Sequence, residues 1–270
     1  MSALKLKVLI ADDSTTIHDF FANIAKRSSI PFDIVRALDG RECMKLLNEG
    51  RVNLAFIDVN MPGMSGIQAI GKSRLLGVKT FVTLMSANSD RRLCALARQF
   101  KVCEMLTKPF TPADVEAIVK TYCRVTAPMR ALIVDDSATV RRLIAKVMNG
   151  SIFNIGCTEA DEGEKALTLC EAEDFEIVLL DCNMPGLNGM QTLERLLERA
   201  PGIKVVMMSA EHNLERTRRA LDRGAFAFLQ KPFYPGDIDR LLHGIFGLRI
   251  PELAGEEREQ PTGAIAVQMA

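Results

Sequence analysis

The chain has 270 residues, 48% of them hydrophobic and 25% charged, with Lys plus Arg equal to Asp plus Glu at 34 each. That balance supplies no bulk attraction to nucleic acid or to an anionic membrane, no apolar run approaches the ~18 residues of a membrane span, and the opening MSALKLKVLIADD reaches carboxylates too early for a signal peptide. Seven Cys with no C-x-x-C pair argue against a disulfide framework or a zinc site and read as small apolar core residues of a reducing compartment, so the expected location is the cytoplasm.

From the N-terminus, KVLIA at 7–11 is a short apolar run that reads as a strand running out into Asp12 and Asp13, and TTIHDFFANIAK at 15–26 has the apolar spacing of an amphipathic helix. Strand-like runs follow at FDIVRA (32–37), LAFID (54–58), TFVTLMS (80–86) and VCEML (102–106), each succeeded by a stretch with helical spacing. The string DVNMPGMSG runs from Asp58 to Gly66, where Met-Pro-Gly supplies a tight, backbone-exposing loop behind the Asp. The last helix of this half begins at TPAD, with Thr111 as cap, Pro112 at the first helical position and Asp114 in the first turn. RVTAPM, from Arg124 to Met129, is a linker that spans at most about 20 Å when fully extended. The strand-like runs then return as ALIVDD, FNIGCTEA, EIVLLD, KVVMMS and AFAFLQ, followed by YPGD, which keeps the Pro and the Asp of TPAD but loses the capping hydroxyl. Beyond about Ile250 periodicity is lost, and AGEEREQPTG has the composition of a disordered tail.

The two halves are one sequence pattern written twice. DVNMPGMSG at 58–66 returns as DCNMPGLNG at 181–189, an offset of 123 residues. The same offset carries Asp12-Asp13 onto Asp135-Asp136, Ser86-Ala87 onto Ser209-Ala210, and Lys108-Pro109-Phe110 onto Lys231-Pro232-Phe233, without a gap. A solenoid would repeat far more often, so the expected organisation is a first domain over 1–124, a linker over 125–129, a second domain over 130–248 and a tail over 249–270. Apolar strands alternating with amphipathic helices imply an α/β fold with a five-stranded parallel sheet covered on both faces in each domain. In such sheets ligands sit beyond the carboxyl ends of the strands, and Asp12, Asp13, Asp58, Ser86 and Lys108 all fall at predicted carboxyl ends.

Carboxylates crowded at one edge repel, and a divalent cation resolves the repulsion. Hard oxygen donors without His or Cys select magnesium, with manganese as the substitute, and magnesium leaves positions for phosphate and water. A lysine and a serine beside them would cradle a phosphoryl group on the remaining carboxylate, since positioning and charge neutralisation are most of what phosphoryl transfer requires.

The sets Asp12, Asp13, Asp58, Ser86, Lys108 and Asp135, Asp136, Asp181, Ser209, Lys231 resemble the receiver domains of two-component response regulators, particularly the chemotaxis type. The resemblance covers both halves and implies two doubly wound, flavodoxin-like receiver domains in tandem, in a bacterial signalling protein. It implies that Asp58 and Asp181 accept phosphate. It further implies that Asp13 and Asp136 ligate magnesium directly, Asp12 and Asp135 through water, and Asn60 and Asn183 through their backbone carbonyls. Ser86, Lys108, Ser209 and Lys231 would hold the phosphoryl group, and the Lys108-Pro109 and Lys231-Pro232 peptides would be cis. A histidine kinase or histidine phosphotransfer protein would be the donor, and output would pass to an unnamed protein target or end in a phosphate sink, because no output domain is recognisable after residue 248. No nucleic-acid or membrane partner is expected.

The two copies depart from each other at informative places. Three residues before the lysine the family places an aromatic ring that turns inward on activation; Phe228 stands there in the second copy and Met105 in the first, where it reads equally as a core filler. Gly224-Ala225 precede the fifth strand of the second copy, Lys101-Val102 that of the first. Asn88 and Glu211, two residues after each serine, differ at a position that the resemblance associates with water attack on the aspartyl phosphate. His18, His212 and His243 have no ligand spacing and read as surface or packing residues, although His212 lies near the Ser209 loop. Arg141-Arg142 and Arg216, Arg218 and Arg219 read as solvated helix faces or a docking patch. Two other readings compete. An aspartate-nucleophile phosphatase would want a second Asp where Asn60 and Asn183 stand, and a docking scaffold independent of phosphorylation would not need two complete acceptor sets.

Overall fold

The computed structural model describes residues 5–88, 90–211, 213–248 and 265–267. In the first unit the elements are β1 (Leu6–Ala11), α1 (Thr15–Arg27), β2 (Phe32–Ala37), α2 (Gly40–Asn48), β3 (Leu54–Asp58), α3 (Gly66–Leu75), β4 (Phe81–Ser86), α4 (Arg91–Gln99), β5 (Glu104–Thr107) and α5 (Pro112–Thr126). The second unit repeats them as β6 (Met129–Val134), α6 (Ala138–Gly150), β7 (Ile155–Ala160), α7 (Gly163–Ala172), β8 (Ile177–Asp181), α8 (Gly189–Arg199), β9 (Lys204–Ser209), α9 (Leu214–Asp222), β10 (Ala227–Gln230) and α10 (Pro235–Phe246). The sheets run β2-β1-β3-β4-β5 and β10-β9-β8-β6-β7, with all of these pairings parallel. The doubly wound order follows from the sequence pattern: β3 and β8 are buried at every residue, so helices must cover both faces.

Local signals set the helix starts. Ser65 and Gln68 form a reciprocal capping box at α3, and Asn188 and Gln191 do the same at α8. At α5 the Thr111 hydroxyl and backbone N–H both donate to the Asp114 carboxylate at 2.7 Å. At α10 only the backbone N–H of Tyr234 remains to donate, to Asp237 at 2.8 Å. The loop after Asp58 and after Asp181 needs its glycines for two reasons. Gly63 and Gly186 have φ of 72° and 73°, in the left-handed region. Gly66 and Gly189 start α3 and α8 so close to the preceding strand that a Cβ would lie 2.0 Å from the Asp58 carbonyl oxygen and 2.2 Å from that of Asp181.

One part of the expected tail departs from disorder. Ile265–Val267 form β11, which pairs antiparallel with β10, so the second sheet gains a sixth strand at its edge. An edge strand presents an unpaired row of N–H and C=O groups, and the short apolar run Ile265–Val267 is able to satisfy it. The rest of the tail lies outside the described residues, as does His212. Where the linker was expected at 125–129, α5 continues to Thr126 and β6 begins at Met129. All seven cysteines are free thiols.

Candidate phosphoacceptor sites

At the carboxyl edge of the first sheet, β1 delivers Asp12, β3 delivers Asp58, and the turn after β5 delivers Lys108. The Lys108 ammonium bridges the two carboxylates, 2.8 Å from Asp12 Oδ2 and 2.6 Å from Asp58 Oδ1. Asp12 is buried, with its Oδ1 accepting from the Ser14 backbone N–H at 2.9 Å; Asp58 Oδ2 accepts from the Asn60 N–H at 2.8 Å. Ser86 ends β4 beside them, its hydroxyl accepting from the Asn88 N–H and donating to the Asn88 carbonyl. The Lys108 N–H donates to the Ser86 carbonyl at 2.8 Å, which ties the lysine to the strand ends, and the Lys108-Pro109 peptide is cis.

The second sheet repeats this arrangement. Lys231 stands 2.7 Å from both Asp135 Oδ2 and Asp181 Oδ1, with a cis peptide to Pro232. The Asn183 N–H lies 3.3 Å from Asp181 Oδ2, and the Glu211 N–H donates to Ser209 Oγ at 3.1 Å. Burial would lower the basicity of both lysines, but the hydrogen bonds and charges of their two carboxylates outweigh it and hold Lys108 and Lys231 above the ordinary lysine value. Burial pushes the Asp181 carboxyl up, against the pull of Lys231, and the neighbouring Asp135 charge adds to the rise.

The remaining acidic residues are placed differently. Asp13 and Asp136 are exposed, and among the described residues no three His, Cys, Asp or Glu side chains form a ready cation cluster. The donors that do converge are hard carboxylate oxygens, those of Asp12 and Asp58 about Lys108 and those of Asp135 and Asp181 about Lys231. That donor chemistry fits magnesium.

The copies differ beneath and around the sites. His18, read from sequence as an ordinary surface or packing residue, is buried with Nε2 2.8 Å from the Asp12 carbonyl oxygen. Arg141, its counterpart in the repeat, donates to the Asp135 carbonyl at 2.6 Å and pairs with Glu159 at 2.9 Å; it is therefore a support of the acidic loop and not a solvated face. The signal was available in the shared position, six residues after the buried Asp in each copy, but His and Arg do not look alike until the carbonyl they hold is seen. Arg142, Arg218 and Arg219 are exposed, as expected. His243 is buried in a packing role, edge-on to Phe153. Phe228 is already inside, 2% exposed within the core of the second domain, while Met105 is partly buried against that of the first.

The family model "Response regulator receiver domain" matches residues 8–120 and again 131–243. The chain is 34% identical over 116 residues to the nitrate/nitrite response regulator protein NarL of Escherichia coli (strain K12), a match covering 43% of this chain and 54% of NarL, about half that relative's length. It is 34% identical over 120 residues to chemotaxis protein CheY-3 of Vibrio cholerae serotype O1, covering 44% of this chain and 92% of that protein. It is also 37% identical over 118 residues to the two-component response regulator ORR11 of Oryza sativa subsp. indica, covering 43% and 79%. A crystal structure described as a putative two-component system response regulator/GGDEF domain protein aligns with a TM-score of 0.58 over 90% of this chain and 99% of that one, at 23% identity, which is a likeness of fold. No helix among the described residues is long and apolar enough to cross a membrane. Receiver domains are phosphoacceptors of two-component signalling rather than enzymes in the ordinary sense, and they typically bind magnesium. The repeated strand order, the lysine-bridged aspartates and a family match over both halves lead to one conclusion: the chain belongs to the response regulator receiver family and carries two such domains in tandem.

Proposed function

We propose that both domains accept phosphate, on Asp58 and on Asp181, from a histidine kinase or a histidine phosphotransfer protein in the cytoplasm, and that the chain signals through phosphorylation-dependent binding of another protein or by acting as a phosphate sink. The observation that carries this reading is the repeated constellation in which a buried acceptor carboxylate lies within 2.7 Å of a lysine ammonium shared with a second buried Asp. In the transfer, a carboxylate oxygen of Asp58 or Asp181 attacks phosphorus in line; the new P–O bond forms as the P–N bond to the donor imidazole breaks, and the imidazole takes a proton. Lys108 or Lys231 compensates charge on the phosphoryl oxygens, and the Ser86 or Ser209 hydroxyl donates to one of them. Asp12 and Asp13, or Asp135 and Asp136, with the acceptor and the carbonyl of Asn60 or Asn183, would hold magnesium, which supplies neutralisation of the phosphoryl charge.

Intact-mass measurement after incubation with acetyl phosphate and magnesium tests this. The wild-type chain should gain up to two phosphoryl groups, and Asp181→Asn should gain one, on Asp58. A first domain that never labels under any donor would sink its half of the proposal.

A further inference from the structure

At one junction the two copies are joined by unlike chemistry. In the first domain Arg74, in the last turn of α3, turns its guanidinium onto four backbone carbonyls. Nη1 donates to Val78 at 2.6 Å, Nη2 to Thr80 at 2.9 Å and to Lys101 at 3.1 Å, and Nε to Phe100 at 3.0 Å. Val78 and Thr80 lie in the loop before β4, and Phe100 and Lys101 follow α4, so one side chain joins three segments. Lys101 has a φ of 51°, the one non-glycine residue in the left-handed region among the described residues, at a helix end where glycine is the usual choice. Beside it the Phe100 ring lies so close to Gly71 that a Cβ there would meet it at 2.9 Å.

The 123-residue offset places Leu197 opposite Arg74, Gly224 opposite Lys101, and Glu194 and Arg223 opposite Gly71 and Phe100. Leu197 has no donor to offer. Gly224 takes its φ of 96° without a side chain, and a Cβ on it would lie 2.9 Å from Leu197 Cδ1. Glu194 and Arg223 form an ion pair whose side chains are 44% and 46% exposed, so solvent screens it. Both helices nevertheless end with the same backbone bond, Val102 N–H to the Ala97 carbonyl at 2.8 Å and Ala225 N–H to that of Ala220 at 3.0 Å.

We propose that Arg74 is a staple that fixes the connection from α4 to β5, so that phosphate on Asp58 does not move α4 and β5 through that connection, whereas phosphate on Asp181 moves α9 and β10. The proposal rests on the phosphoacceptor reading above. In each domain the chain runs from the serine ending the fourth strand, through one helix, to the lysine after the fifth: Ser86 to Lys108 and Ser209 to Lys231. A phosphoryl group held by that serine and lysine pulls on the helix from both of its ends. In the first domain the far end cannot follow, because a shift of about 1 Å takes the bonds to Phe100 and Lys101 out of range and leaves carbonyls without their charged donor. The second domain has a glycine there and a screened ion pair, so the corresponding connection yields. The choice between Arg with Lys and Leu with Gly decides this separately from Met105.

The test is amide exchange of the full-length chain, read by mass spectrometry with and without beryllofluoride and magnesium. In the wild type, loading should change exchange over 220–227 and leave 97–104 as it was. Arg74→Leu together with Lys101→Gly writes the second copy's pair into the first domain with Met105 in place. Exchange over 97–104 in the free chain should then rise about tenfold, the factor that one lost hydrogen bond to a charged group corresponds to, and the segment should become responsive to loading. Arg74→Lys keeps the charge but loses the fork and should lie between the two. If the double variant loses protection in β1 and β3, Arg74→Lys carries the same reading in an intact domain. A free-chain rate over 97–104 that neither variant raises overturns the staple. A raised rate in a segment that still ignores loading overturns its role in transmission, as does a wild-type response over 97–104 equal to that over 220–227. If the loop at 57–66 is itself unaffected by loading in the wild type, the phosphoacceptor reading of the first domain falls and the proposal with it.

Discussion

Replacing Lys231 with Met should destabilise the second domain in a way that depends on pH and on magnesium. The ammonium makes two 2.7 Å ion pairs, to side chains 0% and 7% exposed, and is itself 18% exposed. Removing one partner of a buried pair costs about 3–5 kcal/mol, because the remaining charge stays desolvated, and the lysine's partial exposure argues for about 3 kcal/mol here. The sign of the pH dependence follows from Asp181, whose carboxyl is held above its ordinary value of 3.8 mainly by burial. For a raised carboxyl, ionisation opposes folding; the penalty is absent below the unfolded pKa and grows as pH rises through the folded one. Loss of Lys231 removes the main lowering influence on Asp181, so the deficit should be larger at pH 7 than at pH 4.5, where the Asp181 carboxyl takes up its proton more readily. The wild-type lysine is raised from its ordinary 10.5, so its contribution is present throughout that range and fades only in strong alkali. Magnesium should restore more stability to the variant than it adds to the wild type, since the cation takes over the missing charge. Lys108→Met in the first domain should give a smaller deficit of about 2 kcal/mol, its side chain being 26% exposed. Hydrogen exchange under increasing urea, read by mass spectrometry, separates peptides of 129–246 from those of 5–126 and gives each domain its own stability. A Lys231→Met deficit that is the same at both pH values, or a magnesium response no larger than the wild type's, would refute the reasoning.

The switch response should be unequal. Phe228 is buried on β10 opposite Met207, two residues before Ser209 on the neighbouring strand, so beryllofluoride with magnesium should stabilise that arrangement and slow amide exchange over 220–233, while 97–110, where Met105 replaces the ring, changes less; equal protection in the two segments would count against it. The cysteines offer a separate check of the core. Burial, reinforced by nearby carboxylates, pushes the thiols of Cys43 and Cys182 up to about 12 and that of Cys157 to about 11, so in the folded chain at pH 8 they should resist iodoacetamide, which consumes thiolate, and react only in urea. Alkylation of Cys43 at the rate of an unfolded thiol would show that its packing is wrong.

Much of the architecture was legible because it is written in local periodicity and then written again. Alternation of apolar strands with amphipathic helices gave the parallel sheets, the 123-residue offset gave two copies, and TPAD marked the start of α5 at Pro112. The placement of Asp12, Asp58, Ser86 and Lys108 at strand ends needed only the rule that crossovers in a parallel sheet bring all carboxyl ends to one edge. Strand β11 escaped because three residues carry too little pattern to stand out from a polar tail, and only the open edge of β10 gives them a partner.

The sequence by itself determined which residues stand at the edge of each sheet, since period and topology decide that. Only the tertiary structure decided what those residues do to one another. That Lys108 and Lys231 each bridge two carboxylates is a matter of where a flexible side chain comes to rest between charges brought in from far along the chain. That His18 and Arg141 support the same carbonyl from unlike side chains, and that Arg216 closes a ring with Asn183 and Glu211, depends on directions and distances of a few ångströms, and hydrogen bonds between loops distant in sequence leave no period to read.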